Sequence, residues 1–442
     1  MRSSKIMGMW IYKNDRLRKP GIWKEGLFLA ICLILALWLR LGEMRRMKAQ
    51  PLDPDTISYI SLAQKIRPFS ETGFYSAQFG MREPLYPLIV KPFLLLPGTP
   101  ESNIRWVSLF FSILVILLTF FLVRNWMGRV IGLVAAFLTA FQTYLVELSA
   151  RGLRCEFFTF LFLLLIYTTI IKPRMNPKAR VIWAGILTGL LCLTRTEFLI
   201  PAALFFISLP VIERHKWNGL KAMVAFCIGL FILFPHLWGM YRVHGDLFYT
   251  NNRNARFFTN LEFGGQPGFP TKEEISQYGF YTGPNVTTFD YFFRFHGIQE
   301  LFWGNLLGFG KIYAFLGLRY IPTETWHMLK TQKGNIWKQI KFLLFRHPFR
   351  ALLALLVGFS FLCGLFLLWN TKYRSLYAVL ILFQVQTAFL LFVGLETRVV
   401  IHTWPVALWI AAFSMAFAVK KILERLNYPF GQKNKIFIKG GK

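Results

Sequence analysis

The sequence predicts an all-α polytopic membrane protein of about ten transmembrane helices, with interfacial helices in a first outer loop and a long outer loop before the last three spans. Three observations carry this. Hydrophobic residues make up 55% of the 442, aromatic residues 17%, and the mean hydropathy is +0.44, well beyond a soluble composition. Apolar runs recur along the chain at or near the ~20 residues that cross a bilayer. The basic residues behind the net charge of +30 sit mostly in short connections between those runs, where they act as topology signals.

Residues 1–25 form a basic tail with seven Lys and Arg. The apolar run from Gly26 to Gly42 follows without a small-residue cleavage site, so it is expected to be a retained signal anchor. Further runs lie at 104–123, 130–147, 156–171, 181–194, 198–212, 222–241, 349–369, 375–395 and 399–419. They divide the chain into a transmembrane module, 26–241, which contains the first outer loop, 43–103; a long outer loop, 242–348; a C-terminal group of helices, 349–419; and a basic tail, 420–442, suited to anionic lipid.

With the N terminus inside, the inner tails and connections are rich in Lys and Arg, whereas the short outer turns hold only Arg151, Arg154, Arg195 and Arg398. Long translocated loops are exempt from this rule, so both tails are expected in the cytoplasm. Carboxylates run the other way: of the 21 Asp and Glu, all but Asp15, Glu25, Glu213 and Glu424 fall outside. Oxygen chemistry is therefore expected on the outer face. The chain shows no basic helix or aromatic–basic platform, which argues against nucleic acid as a partner. Cys32, Cys155, Cys192, Cys227 and Cys363 have neither metal-ligand spacing nor the layout of a disulfide framework.

Chemistry concentrates between Asp53 and Pro97. In DPDTISYISLAQKI, Asp53 suits a helix N-cap, Pro54 the first helical position and Asp55 the first turn, with Tyr59 four residues on along the same face. A carboxylate at Asp55 has a plain explanation, because the helix dipole favours it by about 0.3–1 kcal/mol. REPLYPLIVKPFLLLP is apolar but broken by four prolines, and the 14 residues from Pro84 to Pro97 are too few to cross a bilayer, so this segment should lie along the surface.

The short outer turns each mix signs: Glu147, Arg151, Arg154 and Glu156; Arg195 and Glu197; Glu396, Arg398 and His402. Such residues either solvate their turns or share a polar cavity, and a group of guanidinium ions is suited to gripping phosphate oxygens in pairs. In the long loop, GGQPGFP at 264–270 marks a turn near a polar TKEE patch. The pieces FDYFFRFHG and LFWGNLLGFGKIYAFLG fit interfacial or re-entrant helices, and WKQIKFLLFRHPFRALLALL an amphipathic lead-in that turns at Pro348.

Taken in order, Asp55-Tyr59-Ala63 at the acidic helix start, Pro-Leu-Tyr-Pro at 84–87, SARGLRCE, LTRTE at 193–197, HPFRALL and ETRVVIHTWP resemble the membrane-embedded glycosyltransferases of the GT-C class. The likeness is to the bacterial, family 39-like branch similar to protein O-mannosyltransferases and lipid A aminoarabinose transferases. The resemblance implies a sugar donor linked to polyprenyl phosphate or diphosphate, cleaved on the outer face, with the sugar passed to a hydroxyl of a lipid, glycan or protein acceptor. It implies a bacterial inner membrane with the site in the periplasm, and it makes 26–241 the catalytic module. Asp55 matches the class's catalytic aspartate, a general base. Glu83 is the second outer carboxylate of interest, although the order Arg82-Glu83-Pro84 departs from relatives that place Lys before the Pro. Arg82, Arg151, Arg154, Arg195 and Arg398 are the candidates for donor phosphate, with Glu197 beside them and Tyr59 and His402 as further substrate contacts. Asp53-Pro54-Asp55 also spells D-x-D, but that pattern is common by chance and the implied donor carries no nucleotide, so no metal or other cofactor is assigned. The competing functions are a transporter or flippase of lipid-linked glycan, which expects ionisable residues at mid-span, and a relative that binds polyprenyl lipid without catalysis.

Overall fold

The computed structural model describes residues 22–66, 82–171, 175–318, 348–383 apart from 370, 372 and 374, and 401–425. Among them every regular element is helical, the form in which a chain in lipid satisfies its backbone within one segment. The elements are α1 (Ile22–Lys48), α2 (Pro54–Lys65), α3 (Leu85–Phe93), α4 (Pro100–Met127), α5 (Arg129–Phe141), α6 (Thr143–Ser149), α7 (Cys155–Ile166), α8 (Pro177–Thr194), α9 (Leu199–Ile212), α10 (Gly219–His244), α11 (Tyr249–Phe263), α12 (Lys272–Tyr278), α13 (Ile298–Leu318), α14 (Pro348–Leu368), α15 (Ser375–Phe383) and α16 (Trp404–Arg425).

Among the described residues, five helices are long and apolar enough to cross a membrane: α1, α4, α10, α14, and α16 with the 3-10 turn before it. The run expected as one span at 130–147 is instead two helices, α5 and α6, bent by 60°. The break falls at Gln142, which leaves the helical region (φ −67°, ψ 114°) and caps α6 by accepting a hydrogen bond from Leu145 N at 2.8 Å. The runs at 156–171 and 198–212 are short apolar helices, Cys155–Ile171 and Thr196–Ile212, the first ending in a π-helical turn. Residues 384–400 lie outside the described residues, and with them the second half of the expected span 375–395.

Helices α8 and α10 cross closely. A Cβ on Gly185 would sit 2.6 Å from the Ala225 carbonyl oxygen, and one on Gly189 2.6 Å from Ile232 Cβ, so the small residues of GILTG let the two backbones meet. Helix α4 packs between α5 and α7, and α16 against α14 and α5. One apolar cluster joins Tyr59 and Tyr86 to α4, α7, α8, α9, α14 and α16. Arg40 of α1 is buried inside this bundle, donating to Ser112 Oγ at 2.7 Å and to the Ala140 carbonyl at 2.9 Å.

The long loop is more ordered than its composition suggests. It contains α11, which its polar sequence did not announce, and α12, opened by a reciprocal capping box between Thr271 and Glu274. GGQPGFP forms a turn closed by Gly265 N donating to the Pro270 carbonyl at 2.8 Å. FDYFFRFHG gives a π-helical turn at Asp290–Arg294, and the second aromatic piece is α13, which packs against α14. The lead-in before Pro348 lies outside the described residues.

Candidate functional site

Four segments meet at one end of the bundle: the residues just before α2, residues 82–84 before α3, and the short connections between α6 and α7 and between α8 and α9. Asp53 is the N-cap of α2, its Oδ1 accepting from Asp55 N at 3.0 Å, and Pro54 follows at the first helical position. That holds Asp55 in the first turn. The Arg-Gly-Leu-Arg turn at 151–154 is clamped by three hydroxyls. Thr56 Oγ1 donates to the Arg151 carbonyl at 2.9 Å, Tyr86 Oη to the Gly152 carbonyl at 3.2 Å, and Ser108 Oγ to the Leu153 carbonyl at 2.9 Å. Gly152 has φ +74°, and a Cβ there would lie 2.9 Å from Thr56 Cγ2, so the turn needs glycine on both counts.

The inner half of the site is a closed network. Glu83 is only 2% exposed; its Oε2 accepts from Arg154, and its Oε1 accepts from Thr196 N at 2.8 Å and Thr196 Oγ1 at 3.0 Å. Burial alone would raise this carboxyl, but the Arg154 charge and the Thr196 hydrogen bond outweigh it and push it down to about 2. Arg154 also donates to the Thr194 carbonyl and lies 3.7 Å from Glu197 Oε1. Burial, joined by the nearby Glu83 charge, raises the Glu197 carboxyl against the pull of Arg154 and Arg195. Arg195, 5% exposed in its side chain, packs over the Phe158 ring at 5.2 Å and donates to Cys155 Sγ at 3.6 Å.

The outer half is more open. Arg82 pairs with Asp55, whose side chain is 24% exposed, the highest among the site's carboxylates. Arg151 pairs with Glu147 and lies 4.0 Å from Asp53 Oδ2. Arg82 also covers the Tyr59 ring at 5.6 Å.

The structure thus brings together Asp55, Glu83, Arg82, Arg151, Arg154, Arg195 and Glu197. Tyr59 is buried beneath them, edge-on to Tyr86 at 5.0 Å, and burial pushes its hydroxyl up to about 12. His402 is fully buried and edge-on to Phe158 and Phe162 at 4.9 and 4.8 Å, and Arg195 packs over the same Phe158 ring. Arg398 lies outside the described residues. Glu83, expected as a second catalytic carboxylate, has both oxygens committed to holding Arg154 and Thr196. Thr56, Tyr86, Ser108 and Thr196 were not anticipated as site residues; Thr56, Tyr86 and Thr196 stand near charged residues in sequence, whereas Ser108, inside an apolar run, carries no signal. Among the described residues no three His, Cys, Asp or Glu gather as metal ligands, and the D-x-D carboxylates serve as a cap and as the partner of Arg82.

A polytopic membrane protein with carboxylates and arginines gathered at one end of its helical bundle is the class this fold and site define. Residues 82–238 match the family described as dolichyl-phosphate-mannose-protein mannosyltransferase, a stretch that contains Arg82, Glu83, Arg151, Arg154, Arg195 and Glu197. In sequence the chain is accordingly similar to the GT-C glycosyltransferases. No curated protein matches it. Among solved structures it is similar to ArnT from Cupriavidus metallidurans bound to undecaprenyl phosphate, at 11% identity and a TM-score of 0.48, covering 90% of this chain and 62% of that one. It is also similar to the archaeal oligosaccharyltransferase AglB from Archaeoglobus fulgidus in complex with an inhibitory peptide and a dolichol-phosphate, at 14% identity and a TM-score of 0.49, covering 94% and 53%. The chain therefore spans 53–62% of the length of these two proteins.

Proposed function

We propose that this protein is a membrane glycosyltransferase that moves a sugar from a polyprenyl-phosphate-linked donor to a hydroxyl of a lipid, glycan or protein acceptor on the outer face of the membrane. One observation carries this: the most exposed carboxylate of the cluster, Asp55, stands at the same open edge as two guanidinium groups, Arg82 and Arg151. The family match across 82–238, whose description names a lipid-phosphate sugar donor, supports the donor class. The outer-face assignment follows from the Lys and Arg distribution, with both tails in the cytoplasm and, by resemblance, in a bacterial inner membrane.

In the reaction, the acceptor oxygen forms a bond to the anomeric carbon as its proton passes to Asp55. The bond from that carbon to the donor phosphate oxygen breaks, and polyprenyl phosphate leaves with the electron pair. Arg82 and Arg151 are suited to meet the charge on the departing phosphate, because a planar guanidinium grips two phosphate oxygens at once. Glu83, Arg154 and Thr196 act as positioning residues that keep the turns in register. General-base assistance is worth about 10² to 10⁴ in rate.

The test is reconstitution in vesicles with polyprenyl-phosphate sugars, reading release of polyprenyl phosphate. Asp55→Asn should lose about 10²- to 10⁴-fold while still inserting and folding. Turnover at the wild-type rate in that variant removes Asp55 from the chemistry. Lipid-linked sugar that crosses the bilayer uncleaved would identify a transporter instead.

A further inference from the structure

We infer that Arg40 and Glu156 form one buried charge pair, through which Arg40 acts as a positioning residue for the head of α7 and so for the inner half of the charged site. The part this plays in sugar transfer rests on the function proposed above. Arg40 lies within the membrane-crossing helix α1 and is 1% exposed. Ionisable side chains in such segments are rare and are held by partners. Its Nε donates to Ser112 Oγ at 2.7 Å, and its Nη1 to the Ala36 and Ala140 carbonyls at 3.2 and 2.9 Å. Ala140 stands in the last turn of α5, where the break at Gln142 takes away helical donors, so a cation suits its carbonyl. None of these acceptors is ionised, however, and Nη2 is buried with no hydrogen-bond partner. The contacts orient the guanidinium without supplying a counter-charge.

Glu156 is the complementary case. It stands in the first turn of α7, is 5% exposed, and has both carboxylate oxygens buried with no hydrogen-bond partner. Both side chains line one cavity between α1, α4, α5 and α7, together with Ser112, Thr139, Cys155 and Thr159. Its volume of about 10 Å³ leaves room for about one water molecule, too little for a hydrated ion to balance either group. Of the charged groups, Arg40 acts most strongly on Glu156, ahead of Arg151 and Arg195, and Glu156 is the acid that acts on Arg40. Opposite charges enclosed together stabilise each other, and removal of one strands the other. The pair thus ties α1 and the α5–α6 break to the segment that carries two residues of the site's inner half. These are Arg154, the partner of Glu83, and Cys155, whose Sγ accepts from Arg195.

Amide hydrogen exchange of the purified full chain in nanodiscs, read by mass spectrometry over residues 158–162, tests the pair without any turnover. The helical bonds of that stretch begin with Phe158 N donating to the Arg154 carbonyl at 2.9 Å. Glu156→Gln, which keeps the shape and removes the charge, should speed exchange there about tenfold, because Arg40 is left enclosed alone. The same change should be close to silent in an Arg40→Met background, where no cation remains to be stranded. An equal effect in both backgrounds overturns the inference and leaves Arg40 as a cap for α5 alone; no effect in either background overturns it too. Where Arg40→Met fails to fold, Arg40→Gln takes its place, since it keeps a donor for Ser112 or the Ala140 carbonyl, and the same outcomes decide. In the reconstituted reaction, Glu156→Gln should lower kcat about tenfold with the donor KM within about twofold, and a neutral residue 40 should restore most of that loss. A loss that the second substitution does not relieve overturns the positioning role. Exchange that follows the pair in a protein without sugar transfer removes the transferase and supports the pair. Sugar transfer and exchange that both ignore the pair do the reverse.

Discussion

Glu83 and Asp55 show how differently two carboxylates of one site can be employed. Glu83 is held well below the usual carboxylate range, at about 2, against an ordinary value of 4.5. A depressed carboxyl contributes stability that is fully present above about 4.5 and is lost as the pH falls toward 2. Unfolding followed by tryptophan fluorescence in detergent should show that acid-side loss in the wild type and not in Glu83→Gln. At neutral pH the same variant should be less stable by about 3 kcal/mol, because Arg154 is left enclosed without its partner. The charged residues themselves were legible in the sequence, since few ionisable groups interrupt so apolar a chain. Their division of labour was not. Arg82 and Glu83 are neighbours in sequence, yet one faces Asp55 at the open edge and the other sits against Thr196 in the interior. Only packing against α2 and α8 decides which is which. His402 illustrates the same limit: its place beside the rings of Phe158 and Phe162 could not be read from an imidazole near an outer turn.

At the scale of elements, apolar runs revealed most helices because a run of that length has few alternatives in lipid. The 60° break at Gln142 was hidden, since Gln142 and Thr143 barely lower the hydropathy of 130–147. Helix α11 was hidden for the opposite reason: YTNNRNARFFTNLEF has too little apolar periodicity to announce a helix. Its place is instead set by contacts such as Asn260 Nδ2 donating to the Phe280 and Thr282 carbonyls at 2.9 and 2.8 Å. The α8–α10 pair yields a sharper expectation. Gly185→Val should lower the unfolding temperature strongly, because its Cβ would already press on the Ala225 backbone. Gly219→Ala, at a position with nothing within 4 Å, should be close to neutral in the same thermal scan. Since Arg195 and Thr196 directly follow α8, the Gly185 variant should also impair sugar transfer more than its loss of stability explains.

For the whole molecule, the charge pattern predicts sidedness that can be read by labelling. In a cysteine-free background, a single cysteine at Gln266 should react with a membrane-impermeant maleimide in intact cells, while one at Asn218 should react only after permeabilisation; the reverse pattern would invert the topology. The salt link between Arg82 and Asp55 has a further consequence, kinetic in kind. In the function proposed above, the base is masked while Arg82 holds that carboxylate, and the phosphate of an arriving donor would compete for the guanidinium. Donor arrival would thus unmask the base, so the two substrates should add in a fixed sequence, donor first. Steady-state patterns with a dead-end acceptor analogue should then show uncompetitive inhibition against the donor, and an acceptor arriving alone would meet a site with its base still in use.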